Sequence, residues 1–122
     1  MKKILTLLAL TITFSMNAQV STNSTSPTGV YASAMGNGTT ASGNESTAMG
    51  YDTTASGEAS TAMGYSTTSS AQASTAMGYG STASGIRSFA GGLYTVASGG
   101  GSFAFHSGTT AGQFEVIYNL FR

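Results

Sequence analysis

Cysteine is absent from this 122-residue chain, histidine occurs once, and charged residues make up only 7%. Each shortage excludes something. Without cysteine there is no disulfide framework, and one histidine leaves no ligand set for a structural metal. Both usual supplements to a small exported core are therefore missing. Formal charge balances to zero at pH 7. No basic stripe exists to neutralise phosphates, which argues against nucleic acid as a partner. The apolar run at 4–16 covers 13 residues, short of the ~20 that a spanning helix needs. The length leaves room for one small domain.

The N-terminus reads as a targeting segment. Lys2 and Lys3 precede the apolar run, and Met16, Asn17 and Ala18 end in a small residue, the pattern of a secretory signal peptide at 1–18. Cleavage after Ala18 leaves an exported mature chain without a membrane span, its first residues, 19–24, a linker. Its positive charges are Arg87 and Arg122, against Glu45, Asp52, Glu58 and Glu115.

A chain so rich in Gly, Ala, Ser and Thr has the composition of a disordered one; the order of the residues says otherwise. From Ala32 it reads ASAMGNGTTASGNE, STAMGYDTTASGEA, STAMGYSTTSSAQA, STAMGYGSTASGIR, SFAGGLYTVASGGG and then a worn SFAFHSGTTAGQF. The period is 14 residues, held without a slip, and residues 25–31 fit the second half of a preceding unit. Each unit divides into two sevens, which raises the coiled-coil reading. That reading fails, because every heptad carries β-branched Thr and a Gly and lacks two large apolar positions. Short strands closed by tight turns fit instead. Two such units make one coil, and coils stack at the strand spacing of ~4.8 Å. The expectation is an all-β, parallel β-solenoid of about five coils over 25–112. Glycine at the fifth and twelfth positions is expected to supply a backbone angle that other residues resist.

Alternation assigns the faces. The third position (Ala48 and its equivalents) and the tenth (Ala41, Ala55, Ser69, Ala83, Ala97, Ala111) point inward. The second and fourth point outward from the first strand: Thr47, Thr61 and Thr75 with Met35, Met49, Met63 and Met77, continued by Phe89 and Phe105. An alanine interior supplies only about 0.8 kcal/mol per methyl, against about 1–2 kcal/mol of backbone entropy per ordered residue. A single chain is therefore underpowered, and this apolar outer row is the expected interface with further copies of the chain. Thr40, Thr54, Thr68 and Thr82 line the outside of the second strand, interrupted by Val96, with serines beside them. Tyr51, Tyr65 and Tyr79 recur at the sixth position. They form either a ligand-binding aromatic row or a stack that stabilises the turns.

From Ser88 the repeat wears. Phe89 and Phe103 replace Thr, Gly91 and Phe105 replace Met, and the last unit lacks one residue between Ala111 and Gly112. Residues 113–122 are expected to be a cap on the last coil or the start of a further segment. Nothing in the pattern carries chemistry. The glycine clusters at 36–41 and 78–83 imitate a dinucleotide loop but fall out of the repeat register. Asn23, Asn37 and Asn44 begin Asn-x-Ser/Thr triplets that arise freely in so Ser/Thr-rich a chain. His106 has no acidic or cysteine partner at ligand spacing, and Glu45 and Glu58 read as solvated turn acids rather than a carboxylate pair. No enzyme, cofactor or metal site is expected.

The units STAMG at 46–50, 60–64 and 74–78, each followed by a TTASG-like half, resemble the head domain of YadA-like trimeric autotransporter adhesins. The likeness covers 25–112. It implies a left-handed parallel β-roll, a homotrimer of three chains side by side, and apolar second and fourth positions facing a shared axis. It further implies a non-catalytic head at the cell surface or outer membrane of a Gram-negative bacterium, attaching to host matrix proteins such as collagen. Members of that family carry a coiled-coil stalk and a membrane barrel, which the residues at 113–122 do not resemble. Two other readings of the repeat remain: an ice-binding solenoid using the Thr/Ser rows, and a passive spacer.

Overall fold

The computed structural model describes residues 22–113 and 115–118. The expected signal peptide at 1–18, the first linker residues at 19–21 and the tail residues 114 and 119–122 lie outside the described residues. Strands are numbered in chain order and fall into two parallel sheets. The first holds β1 (Thr22–Asn23), β3 (Ser33–Asn37), β5 (Thr47–Tyr51), β7 (Thr61–Tyr65), β9 (Thr75–Tyr79), β11 (Phe89–Leu93), β13 (Phe103–Ser107) and β15 (Val116–Tyr118), each paired with the next. The second holds β2 (Ser26–Pro27), β4 (Thr40–Ala41), β6 (Thr54–Ala55), β8 (Thr68–Ser69), β10 (Thr82–Ala83), β12 (Val96–Ala97) and β14 (Thr110–Ala111). The chain alternates between the sheets, so the architecture is an all-β parallel solenoid of about six turns. Among the described residues no helix is long and apolar enough to cross a membrane.

Register follows the repeat. Ala48 pairs with Ala62 and Met49 with Met63, an offset of one 14-residue unit. In the last turn the offset shortens: Phe103 pairs with Val116, which places the missing residue inside that turn. The next rung, β15, continues the first sheet with Ile117 packed against the core.

The core is a double column of alanines. Ala48, Ala62, Ala76, Ala90 and Ala104 from the first strands meet Ala55, Ala83, Ala97 and Ala111 from the second, all fully buried. Alternation extends it by one position on each side, which the sequence reading did not assign. Ser46, Ser60 and Ser74 precede the first strands, and Thr39, Thr53 and Thr67 precede the second; all are buried. Ser46 Oγ donates to the Gly43 carbonyl at 2.6 Å and Ser74 Oγ to the Ala71 carbonyl at 2.6 Å, each closing its own turn.

The two halves of a repeat look alike in sequence but not in structure. First strands run five residues and second strands two. The reason lies in the backbone bonding after each second strand. Ser42 N–H and Gly43 N–H both donate to the Ala55 carbonyl, at 2.9 and 3.3 Å, and Ser56 and Gly57 share the Ser69 carbonyl in the same way. Two amides on one acceptor break the one-to-one ladder, as in a bulge, and the strand ends there.

The glycines serve two different needs, which corrects the single reason expected above. At the fifth position Gly36, Gly50, Gly64, Gly78 and Gly92 have φ between 104 and 125°, a region closed to most side chains. At the twelfth, Gly43 and Gly57 have no positive φ; instead a Cβ on either would run into the backbone of the next turn. Between them, the corners use left-handed residues with side chains: Asp52, Ser66, Ala59 and Ala73 at φ 51 to 53°. Their amides donate to the preceding turn, as Asp52 N–H does to the Asn37 carbonyl at 2.8 Å. That bond, repeated along the stack, offsets a conformation that costs of order 1–3 kcal/mol.

Candidate functional site

With the interior filled by small side chains, everything a partner can meet stands on the outside of the turns. On the first sheet, register builds two columns. One runs Ser33, Thr47, Thr61, Thr75, Phe89, Phe103, and the other Met35, Met49, Met63, Met77, Gly91, Phe105. The alanine between them points inward and is buried, whereas Thr47, Thr61, Thr75, Met35, Met49, Met63 and Met77 are half-buried. A chain without other copies thus leaves a thioether row partly in water.

At the C-terminal end the columns change size together. Phe89 stacks on Phe103 at 4.8 Å between ring centroids and 10° between planes, and Phe103 lies 6.3 Å from Phe105. Gly91 makes this possible, since a Cβ there would sit 2.7 Å from Phe89 Cε1 and 3.1 Å from Phe105 Cδ2. The ring at Phe89 covers the place where a methionine stands in earlier turns, and Gly91 is buried beneath it. Phe103 completes the apolar patch. Its signal in sequence is the second position of the repeat, the same that singled out Phe89.

The tyrosines form a ladder. Tyr51, Tyr65 and Tyr79 stack at 4.9 and 4.8 Å with planes within 8° of parallel. They are exposed, at 43 to 49%. The ladder is closed by Tyr94, which meets Tyr79 edge to face at 5.3 Å and 83°. Tyr94 comes from the seventh position and not the sixth, where Leu93 stands. Pattern reading therefore missed it; the missing tyrosine at 93 beside a tyrosine at 94 was the available signal. The Tyr79 hydroxyl, first as hydrogen-bond partner and then as a charge, raises the Tyr94 pKa above the ordinary phenol value.

Thr40, Thr54, Thr68 and Thr82 lie apart from the tyrosines. They align on the second sheet, register to register, and are half-buried, with Val96 and then Thr110 following. Ser42, Ser56, Ser70, Ser84 and Ser98 beside them are exposed. The residues read together as a ligand surface thus occupy two separate places, the ends of the first strands and the outside of the second.

His106 stands where the other turns have glycine and takes a φ of 101°. Glu45 and Glu58 are exposed in turns. Among the described residues no group of three or more His, Cys, Asp or Glu side chains is placed to hold a metal ion.

A family model described as YadA head domain repeat (2 copies) matches residues 28–53, 41–67, 55–81 and 69–95, overlapping matches that together span more than half of the chain. No curated protein and no solved structure matches it.

Proposed function

The chain belongs to the family of YadA head-domain repeats, and from that premise we propose that it is the head segment of a surface-exposed bacterial adhesin. It works as a trimer of identical chains that attaches to host matrix proteins, collagen among them. The observation that carries this reading is the half-buried column of Met35, Met49, Met63 and Met77 beside the threonines of the first sheet. Three such faces brought together would bury what one chain leaves wet, a part of the about 1.5–3 kcal/mol that full burial of such a side chain supplies. On this reading Thr47, Thr61, Thr75, Phe89 and Phe105 share that interface. The tyrosine ladder and the Thr40 to Thr82 row remain outside as contact surfaces.

Adhesion then follows from repetition. Identical weak contacts along a stiff rod act together, and avidity multiplies them. The family does not favour the ice-ordering reading, and the row that would carry it is broken at Val96.

The test varies the number of turns. Residues 46–73 cover two whole repeats, so their excision keeps the register of all that remains. Beads carrying the intact protein should hold to a collagen-coated surface against flow, and beads carrying the shortened form should detach at lower flow. Equal retention of the two, or no retention of either on any matrix protein tried, would remove the adhesive reading.

A further inference from the structure

Near the N-terminal end of the stack lies the one Asn-Gly pair in the chain, Asn37–Gly38. Asparagine before glycine is the pairing most open to loss of ammonia, because glycine has no Cβ to shield its nitrogen. Asn37 ends β3 and is exposed, so water reaches its carboxamide. Gly38 turns the corner with a φ of 66°. The peptide between them is engaged on both sides: Gly38 N–H donates to the Asn23 carbonyl at 3.0 Å, and the Asn37 carbonyl accepts from Asp52 N–H at 2.8 Å. The same bond recurs at the corners above, from Ser66 N–H to the Tyr51 carbonyl and from Gly80 N–H to the Tyr65 carbonyl. Gly38 differs in its acceptor. Asn23 belongs to β1, a two-residue strand that among the described residues is paired on one side only.

We propose that Asn37 is a latent modification site, closed while β1 stays paired and open to loss of ammonia when that end turn detaches. In the step the Gly38 nitrogen gives its proton to solvent base and attacks Cγ of Asn37. A C–N bond forms, the Cγ–Nδ2 bond breaks, and the carboxamide nitrogen takes up a proton and leaves as ammonia. The product is a five-membered succinimide. Water then opens the ring, at Cγ to give aspartate or at the main-chain carbonyl carbon to give isoaspartate. One ammonia has left and one water has entered in sum. The paired turn resists the first bond in two ways. The hydrogen on the attacking nitrogen is held by Asn23, and ring closure needs that nitrogen turned toward Cγ, a rotation out of strand backbone. Turns of a solenoid touch only their neighbours, so the end turn opens without the rest. Isoaspartate routes the main chain through the former side chain and lengthens it by one carbon, which the fixed spacing of the turns does not accommodate. Conversion therefore leaves the end turn detached.

The intact protein and a peptide of residues 31–43 are incubated side by side in one buffer. Labelling by an isoaspartyl methyltransferase and fragment masses read conversion at Asn37. The protein should convert at least ~10-fold more slowly than the peptide, the ratio set by opening of the end turn. Asn44 is followed by Glu45 and should stay intact in the same samples. Gly29→Ala drives a Cβ against the Gly43 carbonyl at the base of the end turn, and should speed conversion several-fold. Gly85→Ala makes the same collision with the Gly99 carbonyl far up the stack, and should leave the rate unchanged; dichroism of each variant verifies the fold. In the purified isoaspartate form the Gly38 amide should exchange hydrogen as fast as in the peptide. Equal rates in the unmutated protein and the peptide would overturn the gate, as would equal acceleration by the two variants or conversion of Asn44 ahead of Asn37. A Gly38 amide still protected after conversion would overturn the detachment.

Discussion

Single residues decide how closely one turn can lie on the next. Gly64 has a φ of 120°, and a Cβ on it would strike the carbonyl oxygen of Gly78 in the turn above. Gly108 also has a positive φ, 64°, but nothing lies within 4 Å of where its Cβ would be. The two positions separate backbone strain from collision. Gly108→Ala should cost about 1 kcal/mol, the strain alone. Gly64→Ala adds displacement of a hydrogen-bonded backbone and should cost at least ~3 kcal/mol. Urea unfolding of the two variants compares them, and equal midpoints would mean that the turns are looser than their spacing implies. A repeating glycine was plain in the sequence. The twelfth position was misread because sequence shows that a side chain is absent but not whether φ or a neighbouring backbone forbids it. His106 marks the same boundary of inference: its letter breaks the pattern, while its backbone keeps the positive φ of the glycines it replaces.

Within a turn, the two strands are held by hydroxyls as well as methyls, and the hydroxyls are not equivalent. Ser74 Oγ donates to the Ala71 carbonyl and shares a 2.6 Å bond with Ser69 Oγ. Thr53 Oγ1 is buried with no hydrogen-bond partner among the described residues. Removing a satisfied hydroxyl exposes its acceptor's loss, while replacing an unsatisfied one by a methyl of like shape removes a desolvation cost. Ser74→Ala should therefore lower stability by about 1 kcal/mol. Thr53→Val should leave it unchanged or raise it by up to about 1 kcal/mol. Thermal unfolding reads both, and a marked loss for Thr53→Val would mean that its hydroxyl is bonded after all. Much at this scale was legible: the turn length, the inward alanines and the one-residue shortening of the last turn. The buried Ser and Thr at the first and eighth positions were not assigned, because polar letters read as outward-facing unless alternation is carried beyond the strand ends. The unequal strand lengths were also hidden, since the shared carbonyls at Ala55 and Ser69 that end the short strands leave no mark in the letters.

The whole molecule poses a question of supply. Most turns bury two alanine methyls and a few hydroxyls, the turn with Ser69 only one, and at about 0.8 kcal/mol per apolar carbon that burial is small beside the backbone entropy of ordering. Backbone bonds between turns recover part of the difference. The methionine column is a half-buried apolar row continued by Phe103 and Phe105, and it stands on one face only. That asymmetry makes the association testable by site. The intact protein should scatter light as a trimer. Met63→Glu would bring three carboxylates together at the proposed axis, a like-charge cluster that desolvation makes worse, and should shift the mass to a single chain or unfold the rod. Thr68→Glu, one strand later on the second sheet, places the same charge outside that axis and should remain trimeric with unchanged dichroism. A folded single chain for the unmutated protein would refute the interface. A trimer that tolerates Met63→Glu but fails with Thr68→Glu would keep the association and move it to the opposite sheet.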